Sequence, residues 1–210
     1  MNIGIVGSGN VGGALGTRWA QAGHRVVFGS RNPASDAMRE LVAKAGPNAR
    51  AASLMEAVAA AEAVLLATPW PATRAAIEGS GDLAGKVLID ATNPLLPDLT
   101  GVECGATTSG GEWVAGWALG AKVVKAFNSV GANIMANPVF GPDRPVMFYC
   151  GDDAGAKLAV KPLIEELGFE AVDAGPLRQA RTLEPFALLW ISLAYAQGLG
   201  REIAFKLLRR

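Results

Sequence analysis

Three glycines near the start of the chain have the spacing of a phosphate cradle: Gly7-Ser8-Gly9-Asn10-Val11-Gly12. They follow a short apolar run at 3–6 and open a segment, 10–22, with helical patterning. In that context each glycine has a separate task. Gly7 permits a tight turn, Gly9 lets the backbone approach a pyrophosphate, and Gly12 allows the helix to lie close to its strand. The free N–H groups and the positive end of the helix dipole then face the phosphates. The six residues 7–12 are therefore the expected pyrophosphate contacts of a dinucleotide.

The end of the next strand, 25–28, selects the nucleotide. A carboxylate at this place bonds a ribose 2′-hydroxyl, but this chain carries Gly29-Ser30-Arg31. A hydroxyl and a guanidinium suit a 2′-phosphate, which a carboxylate would repel. Ser30 and Arg31 thus point to NADP(H). The competing reading is a capping serine beside a solvated arginine. Thr68-Pro69-Trp70, Asn93-Pro94 and Asn128 close later strands. Ligands of open α/β sheets bind beyond such carboxyl ends, so Thr68, Pro69, Trp70, Asn93 and Asn128 are expected beside the ribose and nicotinamide, with Ala132 as a further cofactor contact. Each has a bland alternative as a turn or core-edge residue.

These residues must be carried by alternating strands and helices. Strands are predicted at 3–6, 25–28, 63–67, 86–91, 121–127, 145–150 and 170–173. Helices are predicted at 10–22 and 36–45, from the capping box Ser53-Leu54-Met55-Glu56, from about 71, behind Ser109 and over 152–167. Residues 95–111 read as a loop. From about 177 the pattern is helical to the end, with a break at Pro185. The expected fold class is α/β: a Rossmann-like, doubly wound, mostly parallel sheet with a small C-terminal helical segment. Its division is an NADP-binding domain at 1–175 and a cap or dimerisation segment at 176–210.

Composition narrows the function. Acidic and basic residues balance at 19 each, and 18% of residues are charged. Neither nucleic acid nor an anionic membrane is an expected partner. No uncharged run reaches the ~20 residues of a bilayer span, and no secretory signal is read at the N-terminus. With two distant cysteines, Cys104 and Cys150, a reduced cytoplasmic setting is expected. One histidine, His24, precedes the second strand on the edge away from the cofactor, where a structural role is expected. Trp113 and Trp117, at i and i+4, read as one apolar helix face. Cys150 reads as an inert core thiol, and Asp152-Asp153 as the start of a helix. No metal cluster or nucleophilic triad is apparent, so no catalytic side chain and no metal ligand is assigned. Hydride transfer needs neither, because the cofactor carries the chemistry.

Taken in order, residues 7–12, Gly29-Ser30-Arg31, Thr68-Pro69-Trp70, Val123-Val124-Lys125-Ala126-Phe127-Asn128, Cys150-Gly151-Asp152-Asp153 and Asp173-Ala174-Gly175-Pro176-Leu177 resemble the deazaflavin-dependent NADP reductases. The same core is similar to the NADPH-binding domain of the STEAP metalloreductases. The resemblance implies an NADP(H)-dependent oxidoreductase, with Ser30 and Arg31 on the 2′-phosphate. A second redox ring, the deazaflavin coenzyme F-420 (F420) or FMN or FAD, would stack on the nicotinamide. It also implies a homodimer with a small C-terminal segment closing over the nicotinamide end. Asn128 stands where archaeal-type members carry a histidine, and in this it is closer to the STEAP-like branch. Two other readings stay open. One is an NADPH-dependent reductase of a small imine or carbonyl, with Lys125 or Tyr195 as proton donor. The other is a non-catalytic NADP(H) sensor.

Overall fold

A computed structural model describes residues 1–104 and 106–210; the expected loop over 95–111 includes Gly105, which lies outside the described residues. The chain alternates β1 (Asn2–Val6), α1 (Asn10–Gln21), β2 (Arg25–Gly29), α2 (Asp36–Ala45), β3 (Ala49–Ala52), α3 (Leu54–Ala59), β4 (Ala63–Leu66), α4 (Trp70–Glu78) and β5 (Val87–Asp90). It continues through α5 (Gly110–Trp117), β6 (Lys122–Lys125), α6 (Ala132–Ala136), β7 (Val146–Gly151), α7 (Ala154–Glu165), β8 (Glu170–Asp173) and α8 (Ala180–Ile191). A 3-10 turn, Leu177–Gln179, leads into α8, and a π-helical turn, Ser192–Ala196, follows it.

The strands form one eight-stranded sheet in the order β3-β2-β1-β4-β5-β6-β7-β8. All neighbours run parallel except β6 and β7. This is the expected doubly wound, Rossmann-like α/β fold. The chain leaves β1 toward β2 on one side and later returns to β4 on the other, so a crevice opens above the end of β1.

Both faces of the sheet are dry, as a parallel sheet requires. Ile3, Ile5, Leu65, Ile89 and Val124 pack on one face with Leu15 and Trp19 of α1 and Val160 and Leu163 of α7. Val6, Val64, Leu66, Leu88 and Val123 pack on the other with Ile77 of α4, Val114 of α5, and Leu177, Ala180 and Leu183. The predicted caps form: Ser53 and Glu56 make the reciprocal capping box of α3, and Ser109 Oγ accepts from the Glu112 N–H of α5 at 3.2 Å. Asp153 caps α7, while Asp152 accepts the Leu177 N–H at 2.8 Å.

The structure departs from expectation at four points. An eighth strand, β3, escaped the pattern because Ala49-Arg50-Ala51-Ala52 has no branched or aromatic residue; main-chain pairing with β2 forms it at the sheet edge. The short helix α6 was likewise not anticipated. The C-terminus is not helical to its end, because Gly198 and Gly200 adopt φ of +71° and +77° and residues 197–210 run as an extended strap. Pro185 does not break α8; it lies inside the helix, which forgoes one main-chain hydrogen bond there.

The junction of β1 with α1 has almost no slack. A Cβ on Gly12 would lie 1.9 Å from the Gly7 carbonyl oxygen, and Gly7 itself has φ +100°. Gly9 is different: its φ is −74°, and a Cβ there would meet nothing within 4 Å. Gly12→Ala is therefore expected to cost about 3 kcal/mol or more by overpacking, lowering the melting temperature by roughly 6–12 °C. Gly9→Ala should leave that temperature unchanged. Thermal melts of the two variants check the contrast.

Candidate functional site

Two adjoining clefts open at the carboxyl ends of β1, β2 and β4. The first, about 520 Å³, is floored by Val6, Gly7 and Ser8 and walled by Gly29, Ser30 and Arg31 on one side and Thr68, Pro69 and α4 on the other. The second, about 730 Å³, shares Ser8 and Ser30 and continues past Gly9, Asn10, Lys44, Ala132, Asn133 and Arg201. Among the described residues, no carboxylate, histidine, cysteine or tyrosine lines either cleft.

Each wall reflects local sequence. Gly9 caps α1 with no side-chain hydrogen bond, and the first turn of α1 has no acidic residue. The positive end of the helix dipole is left for an anion. Neither backbone conformation nor protein packing demands a glycine at position 9, so the requirement that remains is close approach by a ligand. Ser30 is held by its N–H on the Ala52 carbonyl of β3 at 2.9 Å, and its Oγ accepts the Asn32 N–H at 3.1 Å. The edge strand that sequence missed thus seats the serine. Arg31 is exposed, and its guanidinium has no partner among the described residues.

The other expected site residues separate into groups. Thr68 and Pro69 line the first cleft and Ala132 the second. Val11 is half-buried against the core. Trp70 does not line either cleft: its indole stacks on Trp113, with ring centroids 6.0 Å apart, lies 5.5 Å from Trp117, and donates to Glu103 Oε2 at 2.8 Å. The expected Trp113–Trp117 face is thereby completed by Trp70. Asn93 and Asn128 also line neither cleft, and form a pair of their own. Asn93 Nδ2 donates to the Asn128 carbonyl at 2.8 Å, and Asn128 Nδ2 donates to Asn93 Oδ1 at 3.2 Å and to the Leu183 carbonyl at 2.9 Å. These two acceptors fix the amide's orientation and leave Asn128 Oδ1 buried with no donor. Phe127, just before it, has φ +62°, a left-handed turn costing about 1–2 kcal/mol for a residue with a Cβ.

Beneath this pair lies a charged cluster not anticipated from sequence. Lys125 Nζ is fully buried and meets Asp90 Oδ2 at 3.0 Å, Glu184 Oε1 at 2.8 Å and the Thr92 carbonyl at 2.7 Å. Its three donors are all used, which removes Lys125 as a proton donor. Burial alone would push its pKa down. The charges of Asp90 and Glu184, and the hydrogen bonds Lys125 donates to them, outweigh this and hold it above the ordinary lysine value. Asp90 Oδ1 accepts from both the N–H and the hydroxyl of Thr92, and Glu184 accepts the N–H groups of Gly110 and Gly111, each at 2.9 Å. The signal for half of this was present: Asp90 and Lys125 are opposite charges in two apolar strands, directly paired in register. Glu184 carried no such signal.

The discounted residues keep structural roles. His24 Nε2 lies 2.7 Å from Glu166 Oε2 at the start of β2, away from the clefts. Burial pushes the Cys104 thiol up to about 11 and that of Cys150 to about 12. Tyr195 is exposed on the π-helical turn. Among the described residues no group of three or more His, Cys, Asp or Glu side chains is placed to hold a metal, and no helix is long and apolar enough to cross a membrane.

Residues 2–94 match the family model described as NADP oxidoreductase, coenzyme F420-dependent. The chain is 30% identical to the F420-dependent NADP reductase of Methanothermobacter marburgensis, covering 92% of each protein. It is 33% identical to rat metalloreductase STEAP3 over 89% of this chain, which amounts to 36% of that longer protein. A crystal structure of an Arthrobacter sp. FB24 protein described as an F420-dependent NADP-reductase superposes over the whole of both chains with TM-score 0.89 at 32% identity. An Aspergillus terreus reductive aminase, at 20% identity and TM-score 0.67, shares the fold.

The buried cluster sets a pH limit. A raised folded pKa means that the contribution of Lys125 is fully present below the ordinary lysine value of about 10.4 and is lost as pH rises through the folded value. Lys125→Met should cost about 3–5 kcal/mol at neutral pH by stranding two carboxylates, and it should lack the alkaline loss attributable to this ammonium. Urea melts of both proteins from neutral to alkaline pH measure the difference. In the same native protein, neither cysteine should react with a thiol-specific reagent at neutral pH.

Proposed function

Because the chain belongs to the coenzyme F420-dependent NADP oxidoreductase family, we propose that it moves a hydride between NADP(H) and a deazaflavin, coenzyme F420, or a flavin. That it is an NADP-dependent oxidoreductase follows from the family. The residues assigned to the cofactor and the identity of the second ring are this proposal's content.

The residues present fit the dinucleotide. Gly9 faces open space, the N-terminus of α1 is uncapped, and Arg31 has no protein partner among the described residues. Residues 7–12 would hold the pyrophosphate, and Ser30 and Arg31 the 2′-phosphate through charge-assisted hydrogen bonds. Thr68 and Pro69 would border the ribose, with Ala132 on the far wall. Asn128 Oδ1 is a buried acceptor without a donor, and a carboxamide N–H would satisfy it. The Asn93–Asn128 pair would then orient the nicotinamide. Trp70 would serve by shaping the start of α4 rather than by contact.

When bound, NADP(H) supplies or accepts the hydride. The chain contributes position: it holds one ring so that a second can approach, which converts an encounter of two reactants into a first-order step. One observation carries this reading above its rivals: among the described residues the clefts are lined by small, apolar, hydroxyl and amide side chains and by cations, with no carboxylate, histidine, cysteine or tyrosine. Reduction of an imine or carbonyl ordinarily uses a proton donor at the acceptor. Of the two donors weighed for it, Lys125 is locked in ion pairs and Tyr195 is exposed on the π-helical turn, edge-on to Trp190. Transfer between two redox rings makes no such demand on the walls. The full-length likeness to proteins named F420-dependent NADP reductases supports the deazaflavin. The likeness to STEAP3 keeps FMN and FAD as the second choice.

The test offers F420, FMN and FAD separately and follows loss of NADPH absorbance. Turnover with F420 is the expected result, and turnover with FMN or FAD alone assigns the flavin. NADPH binding without turnover on any of the three overturns the proposal. Arg31→Ala should weaken NADPH about 10- to 100-fold, the worth of a charge-assisted hydrogen bond, and leave NADH unchanged in direct titrations.

A further inference from the structure

Residues 197–210 carry no regular secondary structure, yet they are fastened along their length. The left-handed glycines Gly198 and Gly200 turn the chain out of the π-helical turn. Asn133 Nδ2 on α6 then donates to the Arg201 carbonyl at 2.9 Å and to Glu202 Oε1 at 2.8 Å. Trp190 Nε1 donates to the Ile203 carbonyl at 2.8 Å. The Val146 N–H donates to the Phe205 carbonyl at 2.8 Å, on a stretch of β7 that β6 does not pair. The Phe205 ring lies 4.4 Å from Phe186, Lys206 pairs with Asp143, and Arg209 meets Glu170 at 3.0 Å. An extended strap with this many ties to α6, α8, β7 and β8 holds its first residues in a defined place.

That place is the wall of the second cleft. Arg201 lines it together with Ser8, Gly9 and Asn10 of the glycine loop, Lys44 of α2 and Ala132 of α6. Its carbonyl is engaged by Asn133, but its guanidinium makes no hydrogen bond or ion pair among the described residues. The neighbouring carboxylate, Glu202, is taken by Asn133. Among the described residues no acidic side chain lines the cleft. On a chain with equal numbers of acids and bases, two cations and no carboxylate beside an uncapped helix N-terminus describe a cleft shaped for an anion.

We infer that the C-terminal strap is part of the cofactor site and that Arg201 is a ligand of the dinucleotide's pyrophosphate. This rests on the NADP(H) reading above and adds to it a residue from the far end of the chain. Ser30 borders both clefts; the pyrophosphate is favoured over the 2′-phosphate because Arg201 shares its cleft with Gly9 and Asn10 at the uncapped start of α1, whereas Arg31, at the end of β2, lines only the other cleft. The glycine loop then supplies main-chain N–H groups from one side and the strap a guanidinium from the other.

Direct titration of wild type, Arg201→Ala, Arg201→Lys and Arg31→Ala with NADPH and with NADH tests this. Arg201→Ala should weaken both nucleotides by the same factor, about tenfold or more. Arg201→Lys should recover part of the loss, and Arg31→Ala should affect NADPH alone. The exposed guanidinium can be removed without disturbing the fold, so the melting temperature of Arg201→Ala should match wild type. A loss confined to NADPH would move Arg201 to the 2′-phosphate and overturn the pyrophosphate assignment. Unchanged affinity for both nucleotides would overturn the inference and leave the NADP(H) reading standing. Failure of the wild-type protein to bind NADPH would sink both.

Discussion

A single buried ammonium ties the ends of β5 and β6 to α8 and, through Glu184, to the start of α5. Lys125 has no contact with solvent and sits between Asp90 of β5 and Glu184 of α8. Transferring such charges from water costs several kcal/mol per ion, so the arrangement persists only because each group is met on several sides. Lys125 uses all three of its protons. Asp90 adds two bonds from Thr92, and Glu184 adds the first N–H groups of α5. Those last two donors lie at a helix N-terminus, where the dipole favours negative charge. Two carboxylates around one ammonium are thus balanced by main-chain dipoles rather than by a second cation.

This network also explains the position of the strand ends. Asp90 folds the chain after β5 back on itself through Thr92, so that Asn93 meets Asn128 at the end of β6. Glu184 draws α8 against the same spot, and the Leu183 carbonyl, one residue earlier, receives Asn128 Nδ2. The strained turn at Phe127 is affordable where so many contacts over-determine it. The result is a rigid amide pair with one acceptor left over. Rigidity of this kind is what the proposed nicotinamide-orienting role would require.

What could be read from sequence, and what could not, divides along physical lines. The glycine loop was legible because its three glycines answer local demands: a positive φ, a close helix and an open approach. The fold class was legible because apolar runs alternate with helical patterns and caps. Features that depend on distant partners were not. The β3 strand has no strand-like residues and exists by pairing with β2. Glu184 looks like any helical glutamate until α5 is placed over it. Trp70 reads as a cleft residue from its strand-end position, yet the tertiary packing of Trp113 and Trp117 claims its ring. The strap from 197 carries helix-tolerant residues after two glycines, and only the unpaired stretch of β7 shows why it runs extended.

Placement of the strap bears on how a chain of this size completes a cofactor site. The Rossmann half supplies one wall from its strand ends and from α4, between Val6 and Ala76. The opposite wall needs groups that reach over the crevice, and here they come from α6 and from a segment some 190 residues after the glycine loop. Because the strap is fastened to β7 and β8, whatever loosens that sheet edge also loosens the wall of the cleft. On the proposed assignment, stability of the far strands and affinity at the phosphates would be linked through the chain itself. A ligand that bridges the glycine loop and the strap would bind only the assembled form and would stabilise the fold in proportion to its occupancy.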